Sequence, residues 1–295
     1  MNTVPAGAVV VGVDGSESSD AAVTWAAEYA DIRQRPLVLM AAAGRSAAPS
    51  RTRDRHDARQ TRRIESRRAT DHALGLARRA APQLDVRATV PLTEADEALI
   101  EASRSASLVV VGTRGRGRAT SLLLGSVSAA VCEHAECPVA VVRGAVTEDD
   151  LAPRPVVVGT DGTALSADAL DFAFDLASTE GRSLHVVHNV GRDVAHVEEH
   201  QRALEIAIAG HEEQYPDVEV HRHLPLSAPA DTLAVLSETA GAVVVGARAH
   251  HGPVATLGSV SRAVVERARC PVVVVRSGSD ALHRGASGER RSLRA

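Results

Sequence analysis

The stretch Val9-Val10-Val11-Gly12-Val13-Asp14-Gly15 returns in the second half of the chain as Val156-Val157-Val158-Gly159-Thr160-Asp161-Gly162. A short, uninterrupted run of β-branched residues that stops at Gly and Asp predicts a strand buried on both faces and ending in a tight turn. Three more landmarks recur in the same order. Val109-Val110-Val111-Gly112 returns as Val243-Val244-Val245-Gly246, Gly125-Ser126-Val127-Ser128 as Gly258-Ser259-Val260-Ser261, and Cys137-Pro138-Val139 as Cys270-Pro271-Val272. A repeat of this length is a duplicated domain, not a solenoid of short units. The second half is shorter between its first two landmarks, and the surplus in the first half lies around Gly44 to Arg68.

Working outward, the other apolar runs predict further strands. In the first half they are roughly Ala8–Asp14, Leu37–Ala42, Val86–Val90, Leu108–Gly112 and Val139–Arg143. In the second they are roughly Val156–Asp161, Leu184–Asn189, Val218–Leu224, Ala242–Gly246 and Val272–Arg276. Helical patterns lie between them, with Ala21, Ala22, Trp25, Ala26 and Tyr29 on one predicted face and Ala169, Phe172, Ala173 and Leu176 on its counterpart. Strand–helix alternation with crossover lengths implies an α/β fold: two tandem domains, each a doubly wound parallel sheet with right-handed connections. The expected boundaries are 1–147 and 148–276, joined through an acidic, Pro-containing junction at Gly144 to Pro155. Residues 277–295 are Gly, Ser and Arg with almost nothing apolar, which predicts a disordered tail. The Arg-rich 45–68 segment is expected to be a solvated loop leading into the second helix, with a surface for an anionic partner as the sharper alternative.

Composition narrows the function classes. The 295 residues are 44% apolar but only 2% aromatic, so small and β-branched side chains must fill the cores. A formal net charge of −4 argues against general nucleic-acid affinity. The chain contains no lysine, which closes Schiff-base chemistry and any phosphate grip by an ammonium group. Three cysteines without zinc-ligand spacing suit a reducing compartment. With no signal-length apolar run and nothing near the roughly 20 apolar residues of a membrane helix, a cytoplasmic protein without membrane insertion is expected.

Ligands of an open parallel sheet bind beyond the carboxyl ends of the strands, where the strand order reverses. Asp14 ends the first strand between Gly12 and Gly15. Gly112 ends the fourth and opens Gly112-Thr113-Arg114-Gly115-Arg116-Gly117-Arg118, which leads to Gly125-Ser126-Val127-Ser128 at a predicted helix start. Glycines let backbone amides approach an anion, the first amides of a helix lie at its positive end, and the arginines add charge.

Gly112, two residues, Gly115, nine residues and then Gly125-Ser126 resembles the ATP-binding signature of universal stress proteins. The Val-Gly-Val-Asp-Gly opening and the Cys-Pro-Val-Ala-Val-Val-Arg ending resemble that family too, and the likeness covers about residues 4–143 and 154–276. It implies a Rossmann-like, adenine nucleotide alpha hydrolase-like fold in each half. It also implies a site for ATP with Mg2+ carried on the phosphates. Gly12, Asp14 and the strand end near Ala42 would border adenine and ribose. Gly112, Thr113, Arg114, Gly115, Arg116, Gly117 and Arg118 would wrap the ribose edge and phosphates, and Gly125, Ser126 and Val127 would hold the distal phosphates. The counterparts in the second half are Gly159, Asp161, Asn189, Gly246, Arg248, Gly252, Gly258, Ser259 and Val260.

That second half departs from the signature. Ala249 stands where the second glycine is expected, only eight residues precede Gly258, and His250-His251 replaces part of the arginine run. If the lost glycine required a positive φ, alanine there would cost roughly 1 kcal/mol, and the second site would bind more weakly. The resemblance further implies a homodimer paired through the apolar fifth strands, whose edges invite pairing, and a regulatory protein partner of unknown identity.

Other motifs lead elsewhere. His196-Val197-Glu198-Glu199-His200 matches a His-x-x-Glu-His zinc pattern, but the resemblance puts it on an outer helix, away from the strand ends. A phosphoacceptor domain or a P-loop hydrolase needs a lysine that the chain lacks. The expected function is therefore ATP binding that sets conformation or partner choice, with no residue assigned a catalytic role. A weak ATPase or phosphotransferase in the same pocket, and a nucleotide-free interaction scaffold, are the alternatives.

Overall fold

The computed structural model describes residues 4–44, 52–113, 115, 124–144, 153–163, 166–191, 194–247, 257–276 and 278, with the side chains of 52–59 and 194 outside that description. Val9, Val10 and Val11 expose no surface at all, because each side of their strand is covered. They form β1 (Val9–Gly12), which pairs in parallel with β2 (Leu37–Met40) on one side and β4 (Leu108–Gly112) on the other. β3 (Val86–Thr89) flanks β2 and β5 (Val139–Val142) flanks β4, so the order is β3-β2-β1-β4-β5. The strand order reverses beside β1, which opens a crevice at the carboxyl ends of β1 and β4.

The helices of this unit are α1 (Glu17–Ile32), α2 (Thr52–Ala80), α3 (Ala95–Ser103) and α4 (Ser126–His134). α1 packs against α2, and α3 against α4. The buried stripe of α1 runs through Ala22, Val23, Ala26, Ala27, Tyr29 and Ala30. Trp25, expected on that stripe, sits at its margin, half-exposed and stacked on Tyr29 at 5.2 Å between ring centroids. The first-unit sequence was expected to remain a loop as far as Arg68, but α2 begins at Thr52. Arg, Ala and Glu are good helix formers, and their charge is compatible with a solvated helix face as much as with a loop. Residues 45–51 of that segment lie outside the described residues.

The second unit repeats the plan. Its elements are β6 (Val156–Thr160), α5 (Ala167–Glu180), β7 (Leu184–His188), a 3-10 turn at Val194–His196, α6 (Val197–Gln214), β8 (Val220–His223), α7 (Pro229–Leu236), β9 (Ala242–Ala247), α8 (Ser259–Arg267) and β10 (Val272–Arg276). All pairings are parallel, in the order β10-β9-β6-β7-β8. Ala169, Phe172, Ala173 and Leu176 on α5 are all buried, as their spacing predicts. The described residues fall into two compact units, 4–144 and 153–278. Of the predicted tail only Gly278 is described, and its amide donates to Asp168 Oδ2 at 2.6 Å.

The glycines at the strand ends have steric reasons to be glycine. A Cβ on Gly112 would stand 2.7 Å from both the carbonyl oxygen and Oγ of Ser18, so the end of β4 touches the first turn of α1 backbone to backbone. A Cβ on Gly12 would meet Leu99 Cδ1 at 3.1 Å, a side chain that can give way. Gly112→Ala is therefore expected to lower stability by about 1–3 kcal/mol, the usual range for overpacking, and Gly12→Ala by less. Urea midpoints of the two variants check this, and the reverse order would contradict the packing described.

Candidate functional site

Gly15 has φ +76°, a left-handed turn that only glycine adopts without strain, and it bends the chain from β1 into α1. Ser16 then caps α1, its hydroxyl accepting from the Ser19 amide at 3.3 Å and donating to Asp14 Oδ1 at 2.7 Å. The Ser16 amide donates to the same carboxylate oxygen at 2.9 Å. Asp14 is thus fixed at the rim of the crevice rather than within β1, two residues beyond the last paired position. Across the crevice, Gly115 comes so close that a Cβ on it would lie 2.6 Å from Asp14 Oδ2. Gly115 does not have a positive φ. The condition under which an alanine at this point of the signature would be strained, a positive φ, does not hold at Gly115; the constraint there is the approach to Asp14.

The loop between β4 and α4 is closed by the Gly125 amide, which donates to the Thr113 carbonyl at 2.9 Å. Ser128 Oγ donates to the Gly112 carbonyl at 2.7 Å, which ties α4 to the strand end. Gly125 is the N-cap residue of α4 and supplies no side-chain cap. The first amides of α4 consequently face the crevice with the positive end of the helix behind them.

Together these elements enclose a cavity of about 410 Å³. Gly12, Asp14, Ala42, Gly112, Gly115, Gly125, Ser126 and Val127, all expected at one site, line it together. Ser19, Met40, Ala95, Leu99, Leu124 and Ser128 also line it and were missed. Ser19 was legible as part of a capping pattern, whereas Leu99 comes from α3 and has no local signal. Thr113 is buried beside the cavity and does not line it, contributing its backbone to loop closure. Arg114, Arg116, Gly117 and Arg118 lie outside the described residues. A side chamber of about 240 Å³ shares Asp14 and Ala42 with this cavity and is walled by Arg62, Glu65 and Ser66 of α2. Ser66 Oγ donates to the Ala42 carbonyl at 3.1 Å, so the Arg-rich helix reaches the site.

The second unit builds its crevice from corresponding residues. Gly162 has φ +74°, and Thr163 donates to Asp161 Oδ1 through its amide at 3.0 Å and its hydroxyl at 2.6 Å. Ser261 Oγ donates to the Gly246 carbonyl at 2.7 Å. The cavity, about 400 Å³, is lined by the expected Gly159, Asp161, Asn189, Gly246, Gly258, Ser259 and Val260. Asn189 holds its place by donating to the Ser227 carbonyl at 2.7 Å. Arg248 and Gly252, with Ala249, His250 and His251, lie outside the described residues.

One feature of this second cavity was not foreseen. His188, at the end of β7 and only 4% exposed, lines it together with His200 of α6. The two rings meet at 2.9 Å between His188 Nε2 and His200 Nδ1. The expectation that the His196–His200 segment lies away from the strand ends is corrected for His200: the first turn of α6 folds back over the end of β7. The corresponding strand-end position in the first unit is Ala41. Burial lowers the His188 pKa below the ordinary histidine range, and the neighbouring His200 lowers it further; the Thr160 backbone and Asp161 oppose the shift.

A profile described as "Universal stress protein family" matches residues 6–143 and 153–276, one match for each unit. The chain belongs to the universal stress protein family. A universal stress protein of Mycobacterium tuberculosis is 37% identical over 289 residues, covering 91% of this chain and 96% of the relative. One of Mycolicibacterium smegmatis is 37% identical over 294 residues with the same coverage. The crystal structure of a universal stress protein from Archaeoglobus fulgidus shares the fold, with TM-score 0.69 and 22% identity over 94% of this chain and 99% of that one. No described helix is long and apolar enough to cross a membrane.

The three cysteines are buried and form no disulfide, and burial pushes the Cys270 thiol up to about 12, so it is a packing group in this member of the family. The histidines offer the titration test. Because the folded pKa of His188 is depressed, the unfolded chain binds more protons below the ordinary value of about 6.5, and stability falls as pH drops through that region. His185 and His223 are also depressed, chiefly by burial, and act in the same direction. Urea unfolding at about pH 7.5 and about pH 5.5 should show a smaller acid loss in His188→Gln than in the unmodified protein. An equal loss in both would contradict the burial of His188 as a neutral ring.

Proposed function

We propose that this chain is an ATP-binding regulatory module, with nucleotide held in the first-unit cavity and more weakly in the second. The observation that carries this reading is the pairing of two features across one cavity: the uncapped N-terminus of α4 and a glycine backbone brought against Asp14. An uncapped helix start favours phosphate. A cavity of about 410 Å³ lies in the usual range of small-molecule sites, roughly 300–1,000 Å³. Adenine and ribose would lie towards Asp14, Ala42 and Leu99, and the phosphates towards Gly125, Ser126 and Val127.

Among the described residues, no three His, Cys, Asp or Glu side chains are set to hold a metal. In this reading Mg2+ would be carried on the phosphate oxygens, where it would neutralise their charge. The protein's own contribution is binding and orientation. A partner protein would read the nucleotide state, and self-association through the fifth strands belongs to the same reading. A slow ATPase using this pocket is the second reading, distinguished by steady phosphate release.

The inequality of the two sites rests on sterics. Gly115 has no room for a Cβ beside Asp14, and the sequence of the second unit has Ala249 at the matching point of the signature. Calorimetry with Mg2+–ATP should show binding that is lost from the first site in Gly115→Val. The residual affinity of Gly115→Val should be weaker than that of Asp161→Ala, which retains the first site. Undiminished binding by Gly115→Val would overturn the site assignment, and equal affinities in the two variants would overturn the ranking.

A further inference from the structure

β7 and β8 carry a histidine cluster that plays no part in the cavities. His185 on β7 is the register partner of His221 on β8, and His223 lies two residues further along β8. Residues two apart on a strand face the same way, so His221 and His223 share a face with His185. The opposite face is settled by other contacts: His188 meets His200 of α6, and Arg222 donates to Glu212 of α6 at 2.6 Å. The three histidines therefore point away from α6. On their side, α7 packs on β6 and α8 on β9 and β10, so among the described residues no helix packs mainly on the outer strands there. His185 and His223 are half-buried and His221 is exposed, so water and ions reach the cluster.

The ring nitrogens already stand at a chelating separation. His223 Nε2 lies 3.2 Å from His185 Nδ1. Two nitrogens bound to one ion at about 2.0–2.1 Å stand roughly 2.8–3.4 Å apart, from octahedral to tetrahedral geometry. The His221 ring stands edge-on to His185, 4.8 Å between centroids, and its Nε2 turns towards Glu219 Oε1 at 3.4 Å. The cluster thus has two ring nitrogens facing each other and a third imidazole beside them, with no complete three-ligand group among the described residues.

We propose that His185 and His223, completed by His221 or by water, form a surface site for a borderline divalent transition metal such as Cu2+, Ni2+ or Zn2+. Imidazole ligands select this class over Mg2+ and Ca2+, which prefer oxygen. For both facing nitrogens to bind, the ring that donates the His185–His223 hydrogen bond takes the other tautomer, its proton passing through water to its second ring nitrogen, and the ion replaces that hydrogen bond as the link between the edge strand β8 and its neighbour. Burial and the neighbouring rings hold both histidines below their ordinary pKa, so they are neutral and competent as ligands at neutral pH. The buried cysteines offer no competing accessible thiolate. This site is independent of nucleotide binding.

The test uses the full chain without a polyhistidine tag. Calorimetric titration with Cu2+ should give a site of micromolar affinity. The double variant His185→Ala/His223→Ala should weaken it at least tenfold, His221→Ala should weaken it less, and His134→Ala, on α4, should leave it unchanged. Electron paramagnetic resonance of the first equivalent of Cu2+ should show coupling to two or more nitrogens that disappears in the double variant. Circular dichroism establishes that the variants are folded. Absence of micromolar binding by the unmodified protein, or a double variant that is folded and binds with the same affinity and spectrum, would overturn the proposal.

Discussion

The carboxyl edge of the first unit's sheet is arranged around a contact that tolerates no side chain. At the end of β4, Gly112 lies against the backbone of Ser18, with no room for even a methyl group. That contact brings the first turn of α1 beside the β4–α4 loop. Asp14, anchored by Ser16, then faces Gly115, and the amides of α4 look into the space between. The cavity is a consequence of how closely two backbones approach, and the side chains around it are mostly small. An anion placed there meets backbone donors and a helix dipole that are already oriented, so little reorganisation accompanies binding.

The second unit uses the same framework with different furniture. Thr160, His188 and Asn189 stand where the first unit has Val13, Ala41 and Ala42. The consequence is a cavity of nearly equal size, about 400 Å³, with a histidine pair on its wall. A duplicated domain thus keeps the turn that shapes its pocket while the wall residues diverge. The Asp-to-hydroxyl bond at 2.7 Å in the first turn and 2.6 Å in the second is the part that has been kept.

Much of this was legible in the chain. Runs such as Val9-Val10-Val11 read as doubly covered strands because nothing polar interrupts them, and repetition of the landmarks gave the duplicated α/β plan. The glycines and serines that line the first cavity were legible because their spacing is a local signal. Contacts between elements distant in sequence were not. Nothing local to Leu99 announces that it floors the pocket, and nothing in His188 and His200 tells that a strand end meets a helix start. The helix beginning at Thr52 was obscured because dense charge suits a loop and a solvated helix equally. The reason for Gly115 is non-local in the same way: sequence suggests backbone freedom at a glycine, while only the fold brings the Asp14 carboxylate beside it.

If the small cavity at the strand ends is the working site, the protein should retain its ligand from the cell. The most direct measurement is chromatography and mass spectrometry of the small molecules released when the purified, untreated protein is denatured. The account predicts an adenine nucleotide, released at about one equivalent per chain if the first site alone is filled, as expected for tight retention. Release of no nucleotide, together with no uptake when Mg2+–ATP is supplied in excess, would contradict it.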